Sequence, residues 1–312
     1  MSGYSTSEKV RIAEKHVLPK LLDSHGVCPD YIRLPPDSIA HLVTGYTREA
    51  GVRQLSRQIA SLCRNAALSI AEALNSPSGA DCVPDMQLPI MFDRAKIEDV
   101  LGHPTFGDRS NDLVERLKNA FRPGMAFGLA WTPYGGELML IEAVMGTSPS
   151  KDAASRVVMT GKLGDVLKES VDVARSWINA NAERLGVDTL SGRDIHVHLP
   201  AGGVGKDGPS AGCALVTTLF SLASRRVVRS DTALTGEISL SGHVLPVGGI
   251  KEKVLGAHRA GLRRVVLPEA NRADANKIED AVKAEMTIEF VSELDQVIEK
   301  MMSPTVFVLS KL

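Results

Sequence analysis

Charge of one sign, long apolar runs and paired cysteines are scarce in this 312-residue sequence. Lysine and arginine number 36 against 37 aspartates and glutamates, a net charge of −1. A nucleic-acid surface needs a basic excess, so that class is not expected, and no acidic tail is present either. No uninterrupted apolar run approaches the about 20 residues that a membrane-crossing helix needs. The N-terminal stretch MSGYSTSEKVRIAEK lacks the apolar centre of a signal peptide, so secretion is not expected. The cysteines are Cys28, Cys63, Cys82 and Cys213, with no CxxC pair, which reads as free thiols in a compartment without structural disulfides. Repeats and low-complexity segments are also missing. What remains, 44% apolar and 23% charged residues, is ordinary for a soluble globular chain long enough for two domains.

The first hundred residues read as mostly helical. Val10, Ile12, Val17, Leu18, Leu21 and Leu22 recur near a 3.6 period, predicting a helix from Ser7-Glu8 to about Leu22. Asp37 is placed to cap a short helix holding Ile39, Ala40, Leu42 and Val43. Thr47-Arg48-Glu49-Ala50 is expected to open a longer helix to about Leu74. A breaker-rich stretch, Asn75 to Gly79, precedes a short apolar piece, Leu88 to Phe92, and a helical turn from Asp93 to Leu101-Gly102. His103-Pro104 marks a domain boundary, giving domains 1–104 and 105–312. Beyond it strands and helices alternate. Met125–Trp131 and Glu137–Ala143 predict a hairpin, Leu163–Leu185 a long amphipathic helix and Asp194–Leu199 a strand. Ser210–Ser224 and Lys251–Ala260 predict helices, and Arg264–Leu267 a strand. Asn271–Lys283, a strand at Thr287–Val291 and a helix at Glu293–Met302 close the pattern. The fold class is α+β or α/β of mixed pattern, with a helical N-terminal part.

The segment from Leu199 to Gly212, LPAGGVGKDGPSAG, is the most unusual, and it lies between a strand and a helix. As a phosphate loop it fails: Pro200 stands where Gly205-Lys206 would need a glycine, and Asp207 replaces the Ser/Thr. As a dinucleotide fingerprint, Gly203-x-Gly205-x-x-Gly208 matches, but the acidic residue about 20 positions on is missing. The third reading is a nucleophile. Pro209 suits a first helical position, which places Ser210 among free backbone donors able to stabilise an oxyanion. A bland role for Ser210 as a helix cap competes with this one.

A serine nucleophile needs a base. His196 and His198 share one strand face, and without further ligands they read as solvated strand histidines more readily than as a zinc site. Lys251 and Lys253 open an apolar helix about 200° apart around it, so only one can serve a given site. Lys253 runs along Ile250, Ala257 and Ala260, where desolvation would lower its pKa, and spacing favours it slightly. Thr235 can orient its amine. Cys213 is a further nucleophile candidate, more readily read as a small buried helix residue.

These residues resemble the Lon protease family. Lys206-Asp207-Gly208-Pro209-Ser210-Ala211-Gly212 is similar to its nucleophile motif. Thr235-Gly236-Glu237-Ile238 and Gly242 to Lys253 (GHVLPVGGIKEK) are similar to its lysine motif. Gly128 to Thr132, Thr160 to Gly164, Lys168-Glu169-Ser170 and Arg193 to His198 add further matches. The resemblance implies an ATP-dependent Ser–Lys endopeptidase acting on unfolded polypeptides. Ser210 is then the nucleophile and Lys253 the base, supported by Thr235, by Asp207 shaping the loop, and by backbone N–H groups near Gly208 and Ser210 as oxyanion donors. Trp131 and Glu137 are expected to face substrate, and no metal is implied. Upstream, Gly3-Tyr4 to Lys20 and Tyr46 to Leu55 resemble the helical lid subdomain of the Lon ATPase, with Arg53 as sensor arginine. ATP and Mg, and a homo-hexamer, belong to the full-length family. The large phosphate-loop subdomain is not in this sequence, so ATP hydrolysis by these residues alone is not expected. Thr147 to Arg156 departs from the family's Gly/Lys-rich loop. Ser310-Lys311-Leu312 resembles a peroxisomal address, implying an import receptor and the peroxisome matrix.

Two other readings stay open at this point. One is a Ser–His–Asp hydrolase using His198 and Asp194. The other is a non-catalytic assembly or chaperone-like module.

Overall fold

The structure is a computed structural model; it describes residues 4, 6–74, 88–105, 114–117, 120–132, 135–146, 156–200 and 207–303. Outside the described residues lie Ser310-Lys311-Leu312, nearly all of the Thr147 to Arg156 stretch, and the loop glycines Gly202, Gly203 and Gly205. The chain divides into two compact units, one over residues 1–109 with 133–135, the other over 110–132 and 136–312.

In the first unit α1 (Thr6–Ile12) passes through a π turn (Ala13–Val17) into α2 (Leu18–Ser24). Pro19 accounts for the widening. It has no N–H to donate, its ring crowds the carbonyl one turn back, and the Leu18 N–H reaches five residues back to the Ala13 carbonyl instead. A two-stranded parallel pair, β1 (Ile32–Arg33) and β2 (Ile90–Met91), joins α3 (Pro36–Gly45), α4 (Arg53–Leu74) and α5 (Arg94–Leu101). Their apolar stripes meet in one core that includes Ile39, Leu42, Leu55, Ile59, Leu62, Phe92 and Ile97.

Two helix starts differ from the sequence expectation. Asp37 lies inside the first turn of α3, because Pro36 occupies the leading helical position after an extended Pro35. Helix α4 begins at Arg53 and not at Thr47. The residues between serve as its cap: Leu55 N donates to Glu49 Oε1 at 2.9 Å, and Arg48 N donates to Gln54 Oε1 at 2.9 Å. Helix α5 follows expectation, with Asp93 accepting from Lys96 N at 2.8 Å.

The second unit is built on a seven-stranded sheet. Its strands are β3 (Met125–Thr132), β4 (Gly135–Met145), β5 (Val157–Thr160), β6 (Ile195–His198), β7 (Thr232–Leu234), β10 (Arg264–Pro268) and β11 (Thr287–Val291), in the order β11-β10-β7-β3-β4-β6-β5. The β11-β10-β7-β3 stretch is parallel throughout, as is the β6-β5 pair, whereas β4 and β6 run antiparallel. A separate hairpin pairs β8 (Glu237–Ile238) with β9 (Val244–Leu245). On one face α6 (Asp165–Leu185), α7 (Gly212–Ser224) and α11 (Leu294–Met301) contribute Val171, Trp177, Leu215, Leu219 and Val297 to a shared core. On the other, α8 (Ile250–Arg259), α9 (Arg272–Ala275) and α10 (Asp280–Glu285) pack Val254, Ala257, Ala275 and Val282 against Phe127, Leu129 and Val265. Strands covered on both faces lose the polar alternation of an exposed sheet, hence the nearly unbroken apolar run of β3. This is the mixed α/β domain, mostly parallel, after a helical one.

The three-residue strand β7 carries no sequence signal of its own and was not expected; neither was β5. Asn271–Lys283, whose element type the sequence pattern leaves open, holds the short helix Arg272–Ala275 and the start of a second, Asp280–Glu285, and the Asn271 side chain does not cap the first. Asn271 gives its side chain to Val247 instead, accepting from its N–H at 2.9 Å and donating to its carbonyl at 3.0 Å. No helix among the described residues is long and apolar enough to cross a membrane.

Loss of an N-cap carboxylate costs about 1 kcal/mol. Asp93→Ala is therefore expected to lower unfolding free energy by about that amount in urea titrations, and Asp93→Asn by much less.

Candidate active site

Ser210 lies in a short 3-10 turn, Pro209–Ala211, that leads directly into α7. Pro209 opens that turn, and the N–H of Ser210 belongs to its first residues, which have no intrahelical acceptor. The turn is pinned from the segment after β7. Ser210's carbonyl accepts from Thr235 Oγ1 at 3.0 Å and from Gly236 N at 3.0 Å, and Cys213 N donates to Gly236 O at 3.0 Å.

Lys253 sits one turn into α8 with only 2% of its surface exposed. Its Nζ donates to Thr235 Oγ1 at 3.1 Å. Burial pushes this amine down from 10.5 to about 8, since a charge is poorly solvated among Ile250, Val254 and Ala257. Thr235 therefore links the two groups: it receives an N–H from Lys253 and gives its own O–H to the Ser210 carbonyl. One amine hydrogen faces Thr235, which leaves the lone pair of a neutral amine free to point elsewhere. Lys253 Nζ and Ser210 Oγ form no direct hydrogen bond here; Thr235 is what connects their residues. Lys251, half-buried on another side of α8, takes no part in this arrangement.

The close approach behind Lys253 was not legible from the motifs. A Cβ on Gly136 would fall 1.9 Å from Glu252 O and 2.7 Å from Lys253 Cα, and one on Gly256 would fall 2.5 Å from Gly136 C. Strand β4 thus lies backbone against backbone on α8, and Arg259 Nη2 donates to Gly136 O at 2.9 Å. A glycine in a helix interior costs up to about 1 kcal/mol against alanine, so Gly256 within α8 was the available signal.

Gly208 has φ +116, and its N–H donates to Asp207 Oδ1 at 2.9 Å, so in this arrangement that donor is taken and is not open to an oxyanion. Asp207 Oδ1 also accepts from Leu167 N at 3.2 Å. Trp131 is 57% exposed near the end of β3, its ring lying over Gly249, where a Cβ would meet it at 2.6 Å. Glu137 is half-buried near the start of β4, and Arg53 is exposed at the first position of α4.

The competing groups are otherwise occupied. Thr160 Oγ1 meets His198 Nδ1 at 2.6 Å and His196 Nε2 at 2.9 Å, and Asp194 Oδ1 accepts from Arg156 N at 2.8 Å. His198 and Asp194 therefore form no relay with each other. Burial pushes the Cys213 thiol up to about 12, so it is protonated at neutral pH and unsuited to attack. Cys28, Cys63 and Cys213 are all free. No group of three or more potential metal-ligating His, Cys, Asp or Glu side chains comes together among the described residues.

Comparison with known proteins bears on this geometry. Residues 91–304 match the Lon protease (S16) C-terminal proteolytic domain. The chain belongs to the Lon protease family. Residues 23–78 match the Lon protease AAA+ ATPase lid domain. Among curated relatives, "Lon protease homolog 2, peroxisomal" of Caenorhabditis elegans is 49% identical over the whole chain, which covers 39% of that protein. The protein of the same name in Danio rerio is 43% identical over 95% of the chain and 37% of its own length. "Lon protease 4" of Sorangium cellulosum is 47% identical over 96% of the chain and 35% of its own length. The chain thus spans well under half the length of these Lon relatives.

The penalty for burying the Lys253 charge is full below about pH 8 and fades as pH rises toward 10.5, where the unfolded lysine also loses its proton. Stability should therefore rise over that window in wild type, relative to Lys253→Met. At pH 7 the methionine variant should be the more stable, by up to about 3 kcal/mol in chemical denaturation.

Proposed function

We propose that this chain is the lid and proteolytic part of an ATP-dependent serine endopeptidase, with the division between the two near residue 104. It hydrolyses peptide bonds with Ser210 as nucleophile and Lys253 as general base. The observation that carries the reading is a buried amine, pushed down to about 8, held by a threonine whose hydroxyl also fixes the Ser210 carbonyl.

Lys253, neutral, takes the proton from Ser210 Oγ as that oxygen attacks the substrate carbonyl. Near neutral pH an amine with a pKa of about 8 is neutral in an appreciable fraction of molecules and is still basic enough to accept a proton. The Ser210 N–H, at the positive end of the turn leading into α7, is the oxyanion donor this chain offers. Lys253 then returns the proton to the leaving amine, and water repeats the cycle on the acyl-serine. Trp131 and Glu137 are the side chains we assign to the substrate strand.

Family membership places this chain among proteases that act on proteins and are typically oligomeric. For the whole protein we propose unfolded and damaged polypeptides as substrates, a homo-hexamer as the assembly and the peroxisome matrix as the location. The printed names of several relatives support that location, with Ser310-Lys311-Leu312 as the segment an import receptor reads. ATP and Mg are assigned to a subdomain outside these 312 residues. Arg53 alone does not make a nucleotide site, so no step here runs through ATP.

A fluorophosphonate probe tests the dyad, since an activated serine oxygen attacks its phosphorus, expels fluoride and is left phosphonylated. Labelling should fall on Ser210, vanish in Ser210→Ala, and drop by about 100-fold or more in Lys253→Ala. Its rate should rise with pH through about 8 and then level off. Thr235→Ser should keep most of the rate and Thr235→Val should lose most of it. Labelling that persists in Lys253→Ala, or survives in His198→Ala no better than there, would contradict the assignment.

A further inference from the structure

Gly164 holds the cap position before α6, and glycine has no side-chain oxygen to receive an orphan N–H. The missing acceptor comes from elsewhere in the chain. Asp207 Oδ1 accepts from Leu167 N at 3.2 Å, the third helical N–H, where an N-cap side chain would normally bond. The same oxygen accepts from Gly208 N at 2.9 Å. The carboxylate occupies the space that a side chain on Gly164 would fill: a Cβ there would lie 2.2 Å from Asp207 Cγ and 2.5 Å from each carboxylate oxygen. The positive end of a 21-residue helix favours a negative charge at this point.

A second contact comes from the same turn. Leu199 N donates to Thr160 O at 3.1 Å, and the bare Cα of Gly161 lies against the Leu199 carbonyl, where a Cβ would fall 2.2 Å from the oxygen. The turn between β5 and α6 therefore touches the chain at Leu199 and again at Asp207, three residues before the nucleophile.

We propose that this turn is the positioning element of the nucleophile, with Gly164 as its specific requirement: the empty site at the α6 N-terminus holds the Asp207 carboxylate, which sets the backbone at Gly208 and with it the placement of Ser210. The inference rests on the Ser210–Lys253 reading and extends it to residues that touch neither substrate nor reacting atoms. Glycine at 164 is required for space and not for backbone freedom, since its φ of −70 and ψ of 171 suit any residue. The three atoms nearest a methyl group at 164 all belong to the end of the Asp207 side chain, so the helix and fold can stay while Asp207 is driven out.

The test uses the full 312-residue chain with Gly164→Ala, Asp207→Ala and Asp207→Asn, read two ways. Amide hydrogen exchange at Leu167 and Gly208 reports the clamp without reference to chemistry. The fluorophosphonate labelling rate of Ser210, split into affinity and maximal rate, reports the placement. In Gly164→Ala and Asp207→Ala, exchange at both amides should rise and maximal labelling should fall about 10- to 100-fold, the range expected for an ångström-scale misplacement. Probe affinity should change little, and the thermal midpoint should fall by no more than about 2–4 °C, as expected for one lost cap carboxylate. Asp207→Asn keeps an oxygen acceptor of the same shape and should recover most of both readouts. Unchanged exchange in Gly164→Ala overturns the clamp. Raised exchange with wild-type labelling overturns its link to Ser210. A wild-type chain that protects both amides yet fails to label at Ser210 overturns the Ser–Lys reading itself, and the positioning role falls with it.

Discussion

Burying an ammonium group is costly unless a counter-charge compensates it, and among the described residues no ion pair forms with the buried Lys253. It shares its helix with the buried Ile250, Val254 and Ala257, its side chain bonds to a neutral threonine, and burial lowers its pKa to about 8. The rest of the domain can be understood as what is needed to impose that burial. The apolar face of α8 is pressed against β3 and β10, Gly136 and Gly256 allow β4 to reach the helix backbone, and Asn271 fastens the loop that precedes it. A stable fold absorbs the electrostatic cost of one buried lysine, and the result is an amine able to accept a proton close to neutral pH.

The proposed nucleophile is held by different means. Ser210 is not buried in apolar surroundings; it is fixed through its backbone. The carbonyl takes two hydrogen bonds from the segment after β7, and the approach to it is set by Asp207 at the start of α6. Thr235 belongs to both halves. It receives from the lysine and donates to the serine's carbonyl, so the relative placement of Lys253 and Ser210 passes through one hydroxyl. The sheet puts this residue in position: Thr235 follows β7, which lies between β3 and β10, the strands whose apolar residues share a core with α8.

Much of this could be read beforehand where periodicity or local chemistry leaves a mark. The long helix ending at Leu185, the strand at Thr287–Val291 and the helix running to Ser224 fall within a few residues of expectation. Pro209-Ser210 at a helix start and Lys253 over a stripe of small residues were visible because both are local patterns. What escaped was set by distant parts of the chain. Strand β7 is three buried residues with no alternation to betray it, and its identity comes from its neighbours. Helix α4 starts late because Glu49 and Gln54 cap it from side chains that helix propensity counts as formers. Gly164 is indistinguishable from any turn glycine until Asp207 is found in the space beside it.

The proposed chemistry depends on the charge of one nitrogen. Direct titration of the Lys253 Nζ by nitrogen-15 NMR, in a chain labelled on lysine and assigned with Lys253→Arg, measures it without reference to activity. A midpoint near 8 is the expected result. A midpoint at the ordinary lysine value of 10.5 would mean that the amine stays protonated through neutral pH, and that this residue is not the base.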